Sequence, residues 1–217
     1  MYVPEHFSLP RERAFGLLSG ARAGDLITVT PDGLTATFVP MLLDRDADGD
    51  RLLGHLSRVN PQWQHPGEAL FIVNGPHDYV DAAWLTRPDA VSVSTWNYVT
   101  VHAHGELLVH DDQQWCLDAV RRMSQAHGDD TVSSMPLDDV ERKLRAIVGV
   151  ELRITRLEAK AKMSQNKSPE VIEQVIAGLA EAGSVEASEW MRENSLPRAR
   201  AKAELLAGIR QQAGTAR

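Results

Sequence analysis

The sequence predicts an α+β protein, a small antiparallel barrel with helices packed outside it. Three observations point there. Strand-type patterning and turn signals occupy roughly the first 110 residues, helical patterning occupies roughly the last 60, and one strand-like run at residues 150–157 returns between helices. Strands gathered first and helices gathered later, with a single returning strand, is the α+β pattern.

The elements follow in order. Residues 8–23 predict a first helix, with Ser8 as N-cap, Pro10 in the first turn and Gly24 as the stop. The period then changes to two. Residues 25–30 and 34–43 flank Pro31-Asp32-Gly33 and predict a hairpin. Residues 44–50 predict a loop, residues 51–56 a strand, and residues 69–73 a short buried strand that ends at Asn74-Gly75-Pro76. Residues 91–109 are β-rich, either two strands or one bent strand broken near Gly105. Helices are expected at 112–127, before Gly128, and at 137–146. Beyond Pro169 the chain reads as helical, interrupted near Gly183 and near Pro197, with a frayed tail from Gln211. The expected organisation is one barrel domain at 1–180 and a helical extension at 181–217, the latter an appendage or a dimer-contacting arm.

Composition narrows the function classes. With 217 residues, 43% of them hydrophobic, the chain can bury a substantial core. No apolar run approaches the roughly 20 residues of a membrane helix. The first residues lack the basic start and apolar centre of a signal peptide, and Cys116 is the one cysteine, so a reducing cytoplasm is the expected compartment. A formal net charge of −7 opposes nucleic-acid binding at long range.

Several motifs fail on inspection. Asp44, Asp46, Asp48 and Gly49 imitate the first half of a calcium loop, but Arg51 and His55 stand where an apolar residue and a bidentate glutamate belong. His102 and His104 share one face of a strand and could hold a metal, yet the sequence identifies no third ligand. Neither a nucleophile elbow, a Gly-x-Gly-x-x-Gly run nor a Walker-type loop occurs.

Three polar clusters remain. Residues 160–167, Lys-Ala-Lys-Met-Ser-Gln-Asn-Lys, follow the last strand and precede a helix N-terminus, where oriented N–H groups and a partial positive charge suit an anion such as phosphate. His55, Ser57, Arg58, Asn60 and Trp63 gather just after a strand, and arginine can bond two phosphate oxygens at once. Thr95, Trp96 and Asn97 interrupt a valine-rich strand, offering an aromatic cover and hydrogen-bonding groups for a flat ring. Each cluster alone reads equally as a satisfied core or a solvated loop. Together they favour a planar, anionic cofactor.

These segments, with residues 1–7, 74–80 and 147–151, resemble in order the PaiB-type FMN-binding negative transcriptional regulators over residues 1 to about 180. Thr95-Trp96-Asn97-Tyr98 and residues 162–167 are the specific elements. The resemblance implies an antiparallel split β-barrel with flanking helices, related to pyridoxamine-phosphate-oxidase-like flavoproteins, which are usually homodimers with flavin near the subunit interface. It implies that Arg58 and Ser57, with backbone amides after His55 and with Asn60 nearby, face the phosphate. It further implies that Lys162, Ser164, Gln165 and Asn166 meet phosphate, ribityl chain or ring, and that Thr95, Trp96 and Asn97 line the isoalloxazine. The chain departs from the family at three places: Phe38 replaces a histidine, Asp81-Ala82-Ala83-Trp84-Leu85 replaces a Ser-Pro-x-Trp-Tyr pattern, and Ala159 replaces a glycine. The expected function is an FMN-binding negative regulator. An FMN-dependent oxidoreductase using a nicotinamide donor, a literal DNA-binding repressor and a ligand-binding protein with a decayed flavin site stay open as alternatives.

Overall fold

The computed structural model describes residues 1–86 and 93–215. Among them, six strands are ordered β1-β2-β3-β6-β5-β4 around a closed barrel: β1 (Ala23–Thr30), β2 (Gly33–Asp46), β3 (Gly49–Ser57), β4 (Gly67–Val80), β5 (Thr95–His110) and β6 (Ile147–Lys162). The helices are α1 (Arg11–Ala21), α2 (Gln113–Ala126), α3 (Thr131–Ser134), α4 (Leu137–Leu144), α5 (Pro169–Glu181), α6 (Val185–Trp190) and α7 (Leu196–Thr215). The expected α+β split-barrel class is the observed one. No described helix is long and apolar enough to cross a membrane.

The chain divides into two compact units. The first comprises Met1, Pro10–Val73 and Val101–Ala159. Its hairpin closes Thr30 on Gly33, so β1 and β2 pair over their length from Ala23↔Pro40 to that turn. β1 also pairs with β4 from Asp25↔Ile72 to Thr28↔Ala69, and β3 pairs with β6 from Arg51↔Arg153 to Ser57↔Ile147. Leu26, Met41, Leu52, Phe71, Val101, Ala103, Leu107, Val148, Val150 and Leu152 are buried, spaced by two along most strands as a sheet with one core-facing side requires. The acidic stretch expected as a loop at 44–50 is instead strand on both sides of a turn at Ala47-Asp48, and it carries its charges in arginine pairs. Asp44 accepts from Arg51 and Arg122, Asp46 from Arg51, and Asp50 from Arg11 and Arg45.

The second unit comprises Tyr2–Leu9, Asn74–Thr100 and Lys160–Arg217. Its buried side chains include Val80, Val99, Met163, Ile172, Val175, Leu179, Met191 and Leu196. Gly178 admits α5 against Trp84: a Cβ there would stand 2.2 Å from the indole.

Several expected boundaries shift, each for a local reason. Helix α1 ends on Arg22 in the left-handed region (φ 57°), while Gly24 lies inside β1, where a Cβ would meet the Ile72 carbonyl at 2.3 Å. Strand β4 runs through Asn74-Gly75-Pro76, because its ladder to β1 ends at Ile72 and Pro76 breaks no bond on that side. Strand β5 is one strand, not two. Gly105 is the point of closest approach to β6, since a Cβ would lie 1.9 Å from the Arg153 carbonyl. The expected strand start at residues 91–92 lies outside the described residues, as do the last two residues of the tail. Strand β6 extends to Lys162, so Lys160 and Lys162 belong to a strand rather than a loop. Pro197 does not break the last helix. A π turn at Met191–Ser195, with the Leu196 N–H bonded to the Met191 carbonyl, precedes it and places the proline in the first turn of α7.

Candidate functional site

The second unit contains a cleft of about 230 Å³ between the start of β5, the end of β6 and helix α5. Thr95, Asn97, Lys162, Ser164, Asn166 and Lys167 form its polar side. Phe7, Val80, Ala82, Leu85, Val93, Val171 and Val175 form its apolar side.

Its geometry is built from the sequence outward. Period two along β5 puts Thr95 and Asn97 on one side and Trp96 on the other. Thr95 and Asn97 reach the cleft, whereas Trp96 is 49% exposed and sits 6.2 Å from the rings of His77 and Tyr79. Lys162 closes β6 and donates from Nζ to Thr95 Oγ1 at 2.6 Å and to the Trp96 carbonyl. Burial, and then the neighbouring Lys160, lower its pKa below the ordinary lysine value of 10.5. Among the described residues its ammonium is bonded to neutral oxygens and to no carboxylate.

Beyond Lys162 the chain makes a tight turn. Ser164 takes a left-handed conformation (φ 59°), rare for a residue with a Cβ. Its hydroxyl and the Asn97 carboxamide bond each other at 3.1 and 3.2 Å, and the same amide reaches Met191 Sδ. Ser195 Oγ donates to the Met163 carbonyl at 2.7 Å, and the Lys167 N–H closes the turn on the Ser164 carbonyl at 2.9 Å. Gln165 folds its side chain back, accepting from the Met163 N–H at 2.8 Å and donating to the Ala161 carbonyl, so it shapes the turn from within. Asn166 and Lys167 are exposed at the mouth. Ser168, at the N-cap of α5, has a buried hydroxyl with no protein partner.

The other expected group lies in the first unit. Arg58 donates to Asp111 at 2.6 Å and to the Arg145 and Ile147 carbonyls at 3.0 Å each. Asn60 accepts from the Gln62 N–H and donates to Thr37, both at 3.0 Å. Trp63 bonds the Arg58 carbonyl at 2.9 Å, and Ser57 is exposed. His55 is half-buried, its Nδ1 has no partner, and burial lowers its pKa below 6.5. The three family departures separate: Phe38 is 71% exposed, Ala159 is buried in β6, and Leu85 forms part of the cleft wall.

Of the residues singled out in the sequence, Thr95, Asn97, Lys162, Ser164 and Asn166 line this cleft, whereas Trp96, Gln165 and the Arg58 group do not. Val171 and Val175 stand four apart on α5, a spacing that puts both on one helix face and was legible in principle. Phe7, Leu85 and Val93 come from distant segments and carry no such signal. Lys167, from the same 160–167 cluster, lines the mouth.

Comparison with known proteins gives a consistent result. Residues 1–156 match the family described as "Putative FMN-binding domain". A Bacillus subtilis protein named protease synthase and sporulation protein PAI 2 is 28% identical over 176 residues, covering 77% of this chain and 84% of the relative. An uncharacterized protein of Emericella nidulans is 26% identical over 220 residues, covering 81% and 85%. Among solved structures, the FAD and heme binding protein of Mycobacterium smegmatis aligns with a TM-score of 0.58 at 17% identity, covering 73% of this chain and 74% of that one. A flavocytochrome from Azotobacter vinelandii aligns at 0.57 and 14% identity, covering 70% and 67%. At such identities these two structures speak to the fold alone.

Proposed function

The chain belongs to the FMN-binding domain family, with FMN as its cofactor, and from that premise we propose that it is a flavin-binding regulatory protein acting as a homodimer. The observation that carries this reading is the cleft of the second unit, which a lysine held among the described residues by neutral oxygens lines together with seven apolar residues. The residues fit the group. A phosphate needs cationic and N–H or O–H donors, which Lys162, Lys167 and Asn166 offer near a helix N-terminus. A flat ring needs apolar surface edged by a few hydrogen-bonding groups, which Val171, Val175 and Leu85 with Thr95 and Asn97 offer.

In this reading Lys162, Ser164 and Asn166 hold the phosphate and ribityl chain. Thr95 and Asn97 border the ring, Trp96 supports that edge from the opposite side of β5, and Gln165 keeps the turn in shape. Arg58, with His55, Ser57 and Asn60, lies in the first unit, where it is paired with Asp111, and this reading gives that group no part in the cleft. Bound FMN supplies reversible one- and two-electron chemistry. The protein's own contribution is to hold, orient and partly shield it. The regulatory role rests on the resemblance of Thr95-Trp96-Asn97-Tyr98 and residues 162–167 to the PaiB-type regulators. The net charge of −7 favours regulation through flavin state or a protein partner over a grip on the DNA backbone.

An absorbance spectrum over about 300–500 nm, before and after adding FMN, tests the reading, because a site built for a cofactor perturbs the flavin bands. Saturable, stoichiometric uptake is expected. Absence of both bound flavin and any affinity for added FMN would overturn it. One observation favours a second reading, an FMN-dependent oxidoreductase: among the described residues Val93, Asn166 and Lys167 at the mouth are exposed, so a ring held there would be reachable by a nicotinamide donor. Bleaching of the bound flavin by NADH or NADPH, followed by reoxidation with an added acceptor, would select it.

A further inference from the structure

Strand β5 places His102 and His104 on its outward face, between the buried Val101, Ala103 and Leu107. The structure supplies the third ligand that the sequence could not identify. Glu158, from β6, faces both imidazoles, and one ligand atom from each of the three residues lies within 4.8 Å of the other two. His104 Nε2 stands 2.9 Å from Glu158 Oε2, and all three residues are half-buried. Among the described residues this is the one group of three histidine, cysteine or carboxylate side chains with such spacing.

We infer that His102, His104 and Glu158 form a binding site for a divalent first-row transition metal, with Zn²⁺ the best match. Two imidazoles and one carboxylate are the ligand set of zinc sites that keep a fourth position open to water. Two nitrogen donors among three ligands disfavour Ca²⁺ and Mg²⁺, which take oxygen.

The cluster is closed by other groups when no metal binds. Arg156 donates to His104 Nδ1 at 3.0 Å and pairs with Glu158 Oε1 at 2.8 Å, and the Met1 amino group bonds Glu158 Oε2 at 2.8 Å. A metal on His104 Nε2 puts the imidazole proton on Nδ1, where it can no longer accept from Arg156. Arg156 and the metal therefore exclude each other. The Arg156 side chain is 56% exposed, so it can turn into solvent at small cost. That competition separates a metal site from a plain ion-pair clasp.

The test uses the tag-free, chelator-treated full chain, titrated with Co²⁺ by its visible ligand-field bands and with Zn²⁺ by competition. One equivalent per chain is expected. His102→Ala and His102→Gln should each weaken binding by about tenfold or more, since losing a ligand costs at least what losing its outer-shell support does. Arg156→Gln, at an exposed position, should tighten it. Circular dichroism of each variant identifies any that fail to fold, and the Gln variant keeps the test alive if Ala does so. No saturable binding in the parent chain, equal binding in folded His102 variants, or weaker binding in Arg156→Gln would each overturn the inference. Flavin content, followed in the same samples, is expected to stay unchanged, so the outcome is independent of the cleft.

Discussion

Lys162 keeps its charge where burial works against it, and its bonds to Thr95 and the Trp96 carbonyl are bonds to neutral acceptors. Such an ammonium gains more from an arriving anion than a solvated one does, because among the described residues no carboxylate partner has to be displaced. Lys162→Ala should therefore weaken FMN binding by about tenfold or more, roughly 1.4 kcal/mol per factor of ten, in a titration of flavin fluorescence. The pH dependence has a definite sign. Burial lowers the Lys162 pKa below 10.5, so in the unliganded protein the amine loses its proton on the acid side of that value. Neutral amine attracts phosphate less, so as pH rises FMN affinity should start to fall before pH 10.5 is reached, and Lys162→Arg should flatten that decline. Asn97 tests a different property. It is 1% exposed and reciprocally bonded to Ser164. Asn97→Leu leaves a buried hydroxyl without its partner, at about 1–3 kcal/mol, read as a lower thermal midpoint in the flavin-free protein.

At the scale of elements, close approach decides what the strands and helices tolerate. Gly105 on β5 faces the Arg153 carbonyl of β6, and a Cβ would come within 1.9 Å of it. The obstacle is backbone, which cannot swing aside. Gly105→Ala should cost about 3 kcal/mol or more, appearing as a loss of soluble protein or a large drop in thermal midpoint. Helix α7 poses the opposite question. From Ala201 to Gln212 it is exposed throughout, with Leu205, Leu206 and Ile209 among the bare side chains. If the proposed homodimer uses this helix, Leu205→Asp with Ile209→Asp should leave the circular dichroism spectrum and thermal midpoint nearly unchanged. Light scattering should then report a shift from dimer to monomer. A dimer that survives the double substitution would exclude α7 as its contact.

For the whole molecule, cofactor and stability are linked. A ligand that binds only the folded chain at a hundred times its dissociation constant adds about 2.7 kcal/mol. For 150–250 residues that corresponds to a rise of roughly 5–11 °C in thermal midpoint. FMN should produce such a shift and riboflavin, which lacks the phosphate, a clearly smaller one. Equal shifts would show that the lysines and the α5 N-terminus do not read the phosphate.

Much was legible without coordinates. Period two over the first part of the chain, the Pro31-Asp32 turn, the caps at Asp112 and Gly128 and the helical run after Pro169 are local signals, and a local signal survives folding unchanged. So are the residue types of the cleft's polar side, because an ammonium, a carboxamide and hydroxyls close together in a motif state their chemistry directly. Element ends were less legible. Strand β4 outruns its ladder with β1, β5 passes Gly105 without breaking, and the π turn lets α7 begin at Leu196, each decided by what lies across a packed interface. The chain's order alone therefore determined the barrel class, the cofactor family and which polar residues meet at the cleft's lining from β5 and the end of β6. Only the tertiary structure decided which apolar residues complete the cleft, that Arg58 is held by Asp111, and that Glu158 stands beside His102 and His104. Those pairings join residues 53 to 56 positions apart, and no periodicity reaches across such separations; backbone pairing and packing do.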